Sequence, residues 1–345
     1  MESTQQPSGE STPETDASTA IDTAIPPPEA PSGSRRRYSL MTKTDKRVIT
    51  TMVAIPTFLH VALIWVPAIT TFALSFTNWN GFRFDTMDFV GFRNYKQLFT
   101  VFEKDLYEAF FNNGWVLVFL FLVATPLGIL VAYILDKNIR GTAVYQSVFY
   151  FPVVLSLAVV GFIWKSVIYS PRQGFLNVIL GRTEEGNQIS WLGDSDFIVP
   201  IVSEYGLSKN FLALIVPMIW RHVGYIMVLY LAGLKAVDPS LREAAAIDGS
   251  SEWQAFKNVI FPSLKPVNVV IMVITVIESL RVFDIIDVLN NPVGTDVLSI
   301  LVTASILGES SNVGRGSAYG VILLLLCFGF VVWYLRNAFR DDRTV

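Results

Sequence analysis

Cysteine is nearly absent from this 345-residue chain, with Cys327 the only one. That excludes an intrachain disulfide framework and any paired-cysteine metal knuckle. Histidine is scarce too: His60 and His222 are the only two, far apart, so no HExxH and no histidine cluster can hold a metal. No G-x-x-x-x-G-K-[ST] stretch occurs, so the chain has no phosphate-cradling loop for ATP of its own. Charge is also short, at 16% of residues against 52% hydrophobic, with a mean hydropathy of +0.47. An average soluble chain carries roughly 25% charged residues. Residues 1–47 take 13 of the charges, out of 26 basic and 29 acidic in all, and leave the rest poorer still. Such a chain cannot cover itself against water, and lipid is the solvent that tolerates it. The net charge of −3 gives no basic footprint for nucleic acid.

What is present is a series of long apolar runs, and about 20 such residues suffice to cross a bilayer. They fall at 48–76, 115–135, 148–168, 211–234, 267–289 and 317–335. Lys165 lies near the outer end of the third, and Arg221 and His222 near the middle of the fourth. Glu278, Arg281, Asp284 and Asp287 interrupt the fifth. The expected fold class is all-α, a polytopic membrane protein with six transmembrane helices over residues 48–340. With both termini inside, the inner segments hold 15 basic residues and the outer loops 8, the bias that places both ends in the cytoplasm.

Residues 1–34 lack aromatics and are rich in Ser, Thr, Pro, Glu and Gly, which reads as a disordered tail. It does not have the layout of a secretory signal, since acidic residues precede any apolar run. The tail, 1–47, ends in the basic cluster Arg35, Arg36, Arg37, Lys43, Lys46 and Arg47, expected to face anionic lipid. Residues 341–345 form a short C-terminal tail. The outer loops, 77–114 and 169–210, are modest and read as structured caps. No internal repeat is evident.

The informative stretch is the inner segment 235–266. Asp238 is a good N-cap, and Pro239 suits the first helical position, where no N–H is needed. The alanine-rich helix continues to Asp248, and Gly249 ends it by taking the left-handed conformation. Ser251 starts a second helix, Gln254 completes a capping box, and Pro262 is expected to stop it. So short a pair is marginal in water and needs a dock on its own bundle or on a partner. Ala244, Ala245 and Ala246 offer a small, flat surface flanked by the negative Glu243 and Asp248.

This stretch resembles the EAA loop of the inner-membrane permease subunits of binding-protein-dependent ABC importers. That pattern runs E-A-A, three residues, G, nine residues, I-x-L-P. Glu243-Ala244-Ala245, Gly249 and Pro262 match it, with Val259 and Phe261 in place of Ile and Leu. WRHVGYIMVLYLAGL (220–234), FVGFRNYKQL (89–98), GFLN (174–177), Trp191-Leu192 and Phe283-Asp284 resemble the carbohydrate-uptake branch, of maltose- and glycerol-phosphate-permease type. The likeness covers 48–340. Where that branch often has T-x-G-G-P, this chain reads Asn290-Asn291-Pro292-Val293-Gly294.

The resemblance implies a type I ABC importer permease with a cytoplasmic EAA coupling loop. Glu243, Ala244, Ala245, Asp248, Gly249 and Pro262 would then meet the ATPase. Its implied partners are a second homologous permease subunit, two ATP-binding cassette ATPase subunits and an extracytoplasmic solute-binding protein. The chain would be a transport subunit and not an enzyme, without a cofactor, ATP being bound by the ATPases. It would lie in a bacterial-type plasma membrane and import a di- or oligosaccharide or a related polyol. The alternative is an ion-gradient-driven secondary transporter, with Glu278 and Asp284 as ion ligands.

Intramembrane charges usually face the bundle interior or a water-filled path. Candidates for the substrate path are Tyr150, Trp164, Trp220, Arg221, Tyr225, Glu278 and Arg281, which combine aromatic faces with polar groups. Each has a plainer reading. Glu278 and Arg281, three apart, suit a pair with each other; Arg221 and His222 suit hydrogen bonds inside the bundle. Trp and Tyr also populate the membrane interface, the default for Trp79 and Trp333. Cys327 suits a packing role.

Overall fold

The computed structural model describes residues 42–202, 205–289, 292–308 and 311–338. The expectations for the N-terminal tail up to Arg37, for Asn290-Asn291 and for 341–345 lie outside the described residues. The chain divides into two compact units, Met1–Leu59 and His60–Val345.

Four helices are long and apolar enough to cross a membrane. They are α1 (Lys43–Leu74), α3 (Glu103–Asp136), α7 (Lys209–Ala236) and α13 (Val313–Ala338). The short α2 (Arg93–Leu98) precedes α3. Two bent pairs make six crossings if each counts as one: α4 (Thr142–Val154) with α5 (Leu157–Ile168), and α9 (Glu252–Ser263) with α10 (Lys265–Leu280). Between them lie α6 (Phe175–Ile179), a hairpin of β1 (Phe197–Val202) and β2 (Tyr205–Ser208), and α8 (Pro239–Ile247). After α10 come α11 (Asp284–Val288) and α12 (Leu298–Leu307). The mainly helical, multi-span architecture expected above is found, with the antiparallel hairpin as its one sheet among the described residues.

The run expected as a single third span is broken. Leu155 is extended (φ −73°, ψ 142°), the chain turns through 98°, and Ser156 caps α5 by accepting from the Val159 N–H at 3.3 Å. Pro152, three residues before Leu155, cannot contribute an N–H to the ladder. The fifth span also differs from expectation. α10 ends at Leu280, and Asp284 and Asp287 belong to the separate α11. Hydropathy averages merged two helices because two of the three residues between them, Val282 and Phe283, are apolar and only Arg281 is not. α12, with ten residues, is too short to have stood out as a span.

Helix α7 is the centre of the second unit. Its N-terminal turns (Phe211, Leu214, Ile215) form one core cluster with Val116, Leu120 and Ile286. Its C-terminal turns (Tyr230, Leu231, Leu234) form another with Ala132, Phe256 and Ile260. α7 packs so tightly on α4 that a Cβ at Gly224 would stand 2.0 Å from the Phe149 carbonyl oxygen. On the other side, a Cβ at Gly128 of α3 would meet Ile226 at 2.7 Å. Small residues let transmembrane helices approach in this way. Two buried asparagines fasten the N-terminal half of α3: Asn112 Nδ2 donates to the Asp296 carbonyl at 2.8 Å, and Asn113 Nδ2 to that of Ser279 at 2.8 Å.

Candidate functional site

The segment 235–266 folds as its local chemistry dictates. Asp238 Oδ1 accepts from the Ser240 N–H at 2.9 Å, and this backbone bond holds the Asp238 carboxyl below its usual range. Pro239 takes the first turn of α8. Gly249 ends it at φ +74°, with the Ser250 N–H donating to Ala245 O at 3.0 Å. The capping box forms: Ser251 N–H donates to Gln254 Oε1 at 2.9 Å, and Gln254 N–H to Ser251 Oγ at 3.4 Å. The second helix ends at Ser263, one residue past Pro262, and the chain bends by 75° into α10. A wide π-type turn, Phe256–Ile260, comes just before Pro262 and relieves the ladder of the N–H that proline lacks.

Helix α8 is two-faced. Glu243, Ala244, Ala246, Ile247, Asp248 and Gly249 are exposed, Ile247 at 86%. Ala245 is not part of that surface: it turns inward and is buried at 5%. The outer face is therefore two alanines and a bare isoleucine, rimmed by two carboxylates.

The inner face is fixed by residues that the motif did not reveal. Arg242 reaches Asp136 Oδ2 at 2.7 Å and donates to the Leu234 carbonyl at 3.2 Å. Lys137 pairs with Glu252, which lowers the Glu252 carboxyl, and lies 4.7 Å from the centre of the Tyr133 ring. Tyr133 in turn packs on Phe256 (4.7 Å between centroids) and Trp253 (5.9 Å). Asp136-Lys137 at the C-terminal end of the second apolar run was the available signal, but it named no partner.

The second constellation lies within the bundle. Arg221 of α7, with Glu278 and Arg281 at the end of α10, line a cavity of about 310 Å³ together with Met218, Phe283 and Asp284. Glu278 does not pair with Arg281. Its Oε2 lies 3.0 Å from His222 Nδ1 and its Oε1 3.6 Å from Arg221 Nη1, so it bridges α10 to α7. Arg281 follows the last residue of α10 and has left the helical spacing that pairs positions three apart. No carboxylate lies within ion-pair reach of it among the described residues. His222, 1% exposed, also contacts Thr275 Oγ1 at 3.1 Å through Nε2, while Arg221 Nε is buried without a partner among the described residues.

The aromatic candidates sit elsewhere. Trp164 and Trp220 pack edge to face at 5.9 Å against the core cluster of Phe211 and Leu214, and Tyr225 lies 6.4 Å from the His222 ring. Tyr150 is exposed on α4. Of the seven path candidates, the cavity brings together Arg221, Glu278 and Arg281 only. Phe283 and Asp284 join them. Carboxylate and guanidinium groups around an apolar floor can accept and donate hydrogen bonds to a polyhydroxyl ligand. Among the described residues, no group of three or more His, Cys, Asp or Glu could hold a metal ion.

Residues 124–342 match the family described as binding-protein-dependent transport system inner membrane component. The chain is 33% identical to the osmoprotective compounds uptake permease protein GgtC of Synechocystis sp., over 81% of this chain and 94% of that one. It is 31% identical to the trehalose/maltose transport system permease protein MalF of Thermococcus litoralis, over 74% and 81%. A bacterial transporter for the acidic polysaccharide alginate has a chain of the same fold, with a TM-score of 0.70 at 20% identity over 86% and 96%.

Proposed function

We propose, from the premise that the chain belongs to the family of binding-protein-dependent transport system inner membrane components, that it is one permease half of an ATP-driven carbohydrate importer. The observation that carries the reading is the exposed face of α8, where Glu243, Ala244, Asp248 and Gly249 of the family's loop stand open to a partner. The ion-gradient-driven alternative falls with the family assignment. In this reading α8 seats in a cleft of an ATPase subunit, which alone binds ATP, and a second permease chain closes the pore. A solute-binding protein delivers the ligand from outside, and both termini of the chain are cytoplasmic. ATP-driven closure of the two ATPases pushes α8, the bundles rotate, and access alternates from outside to inside.

Arg221, Glu278, Arg281 and Asp284 are the groups offered to the passing sugar. The bridge from Glu278 to Arg221 and His222 offsets the cost of a charge at membrane depth. A carbohydrate fits this mix of acceptors and donors, and MalF of Thermococcus litoralis supports that class. The test is uptake of radiolabelled disaccharides by proteoliposomes holding the full assembly, with proton and sodium gradients collapsed and ATP inside. Uptake that persists under those conditions is the expected result. Uptake that stops when the gradients collapse refutes the ATP-driven reading.

A further inference from the structure

We propose that Asp136 is a positioning residue that latches the coupling segment to α3, so that α3 carries the segment's movement to the charged cavity. The proposal rests on the importer reading and adds to it the path of the force inside this chain.

The latch is built from three helix ends. The Arg242 guanidinium, on the inward face of α8, holds the Asp136 carboxylate at the last turn of α3 with one nitrogen and the Leu234 carbonyl near the end of α7 with another. A fully exposed ion pair would contribute almost nothing; here the Arg242 side chain is 40% exposed, but the Asp136 side chain is only 11% exposed and its partner is bound twice. Lys137, the next residue, pairs with Glu252 at the start of α9, and Tyr133, one turn earlier, lies against Trp253 and Phe256. One end of α3 thus grips both helices of the coupling segment.

The other end of α3 grips the cavity. Val116 and Leu120 line it. Asn113, 2% exposed, donates to the carbonyl of Ser279, the neighbour of Glu278, and its Oδ1 accepts from the Leu298 N–H at 3.0 Å. From Asn113 to Asp136 the helix covers roughly 35 Å at 1.5 Å per residue, about the thickness of the hydrocarbon core. α7 also leads toward the cavity, through Arg221 and His222, and the second nitrogen of Arg242 holds its inner end. A push on α8 therefore reaches the carboxylate of Glu278 through two helices that one guanidinium keeps in step.

The test uses the complete assembly in proteoliposomes and reads solute imported per ATP hydrolysed. Asp136→Asn keeps the shape and removes the charge; the ratio is expected to fall about tenfold, the scale of one charge-assisted hydrogen bond, while ATP hydrolysis stays within about twofold. Asp136→Glu is expected to restore most of the ratio, a rescue that a packing role alone would not show. Should Asp136→Asn fail to assemble, Arg242→Lys carries the test, because an ammonium cannot hold both oxygens, and an intermediate ratio is expected. An unchanged ratio in whichever variant assembles overturns the proposal, as does Asp136→Glu performing no better than Asp136→Asn. The unmodified assembly in the same vesicles separates the two readings: if it shows no ATP-dependent uptake, the importer reading fails and the latch with it. If it transports and the variant matches it, only the latch fails.

Discussion

Gly249 stands at φ +74°, yet a Cβ built there would meet nothing within 4 Å. Substitution at this position therefore separates backbone strain from crowding. An L-residue forced into the left-handed region loses about 1–2 kcal/mol, and a β-branched side chain stands at the upper end of roughly 1–3 kcal/mol. The stiffer unfolded chain returns about 0.4–1 kcal/mol. Gly249→Ala should then cost about 0.5–1 kcal/mol at the turn, and Gly249→Val about 2 kcal/mol, or a factor of about 30 in the population of the native turn. Asparagine tolerates the left-handed region, so Gly249→Asn should stay close to the unmodified protein. Solute uptake and ATP hydrolysis measured together in proteoliposomes should rank the variants as Asn, Ala, Val, with Val losing about tenfold or more in coupled uptake. Equal losses in all three would refute the strain argument, since only a docked partner pressing on the Cβ would treat them alike. Full coupling in Gly249→Val would refute the role of the turn itself.

Glu278→Gln keeps an acceptor for His222 but removes the charge facing Arg221. Because both charged side chains are about one-third exposed, the expected loss is modest, about fivefold in uptake with assembly and ATP hydrolysis intact. Unaltered uptake kinetics would remove Glu278 from the path. The Asp238 cap predicts a pH window for α8. Its carboxyl is depressed in the fold, so its contribution is fully present above the unfolded value of about 3.9 and is lost as pH falls through the lower folded value. Hydrogen-exchange protection of the Ser240 amide, corrected for the intrinsic rate, should hold from neutral pH down to about 4 and collapse only below it. Loss of protection near pH 6 would contradict the cap.

The spans, the caps of α8 and α9 and the glycine turn were legible because each depends on neighbours in sequence: run length, a capping oxygen, a missing Cβ. The break at Leu155 was not, since Pro152 is compatible with a kink as well as with a stop, and hydropathy averages across both. The partner of Glu278 was hidden for a different reason. Spacing along α10 offers Arg281, whereas His222 and Arg221 reach Glu278 from another helix, 56 and 57 positions away in the chain. Asp136 lay in plain view at the end of an apolar run, but nothing local says that Arg242 comes to it. The alanine triplet gave the right helix and the wrong face for Ala245, because the direction of a helix face is set by what the helix rests on.

The 98° bend after Val154 has a further physical consequence. A helix that stops within the apolar band leaves carbonyl groups without partners, and hydrocarbon cannot satisfy them. Leu157, on the far side of the bend, borders the cavity of Arg221 and Glu278. Protein groups or water in that cavity can serve those carbonyls, whereas a lipid tail lodged there would strand peptide dipoles in oil. Dehydrating agents and short-chain detergents able to slip into the gap should consequently harm this protein more than they harm bundles built from unbroken rods.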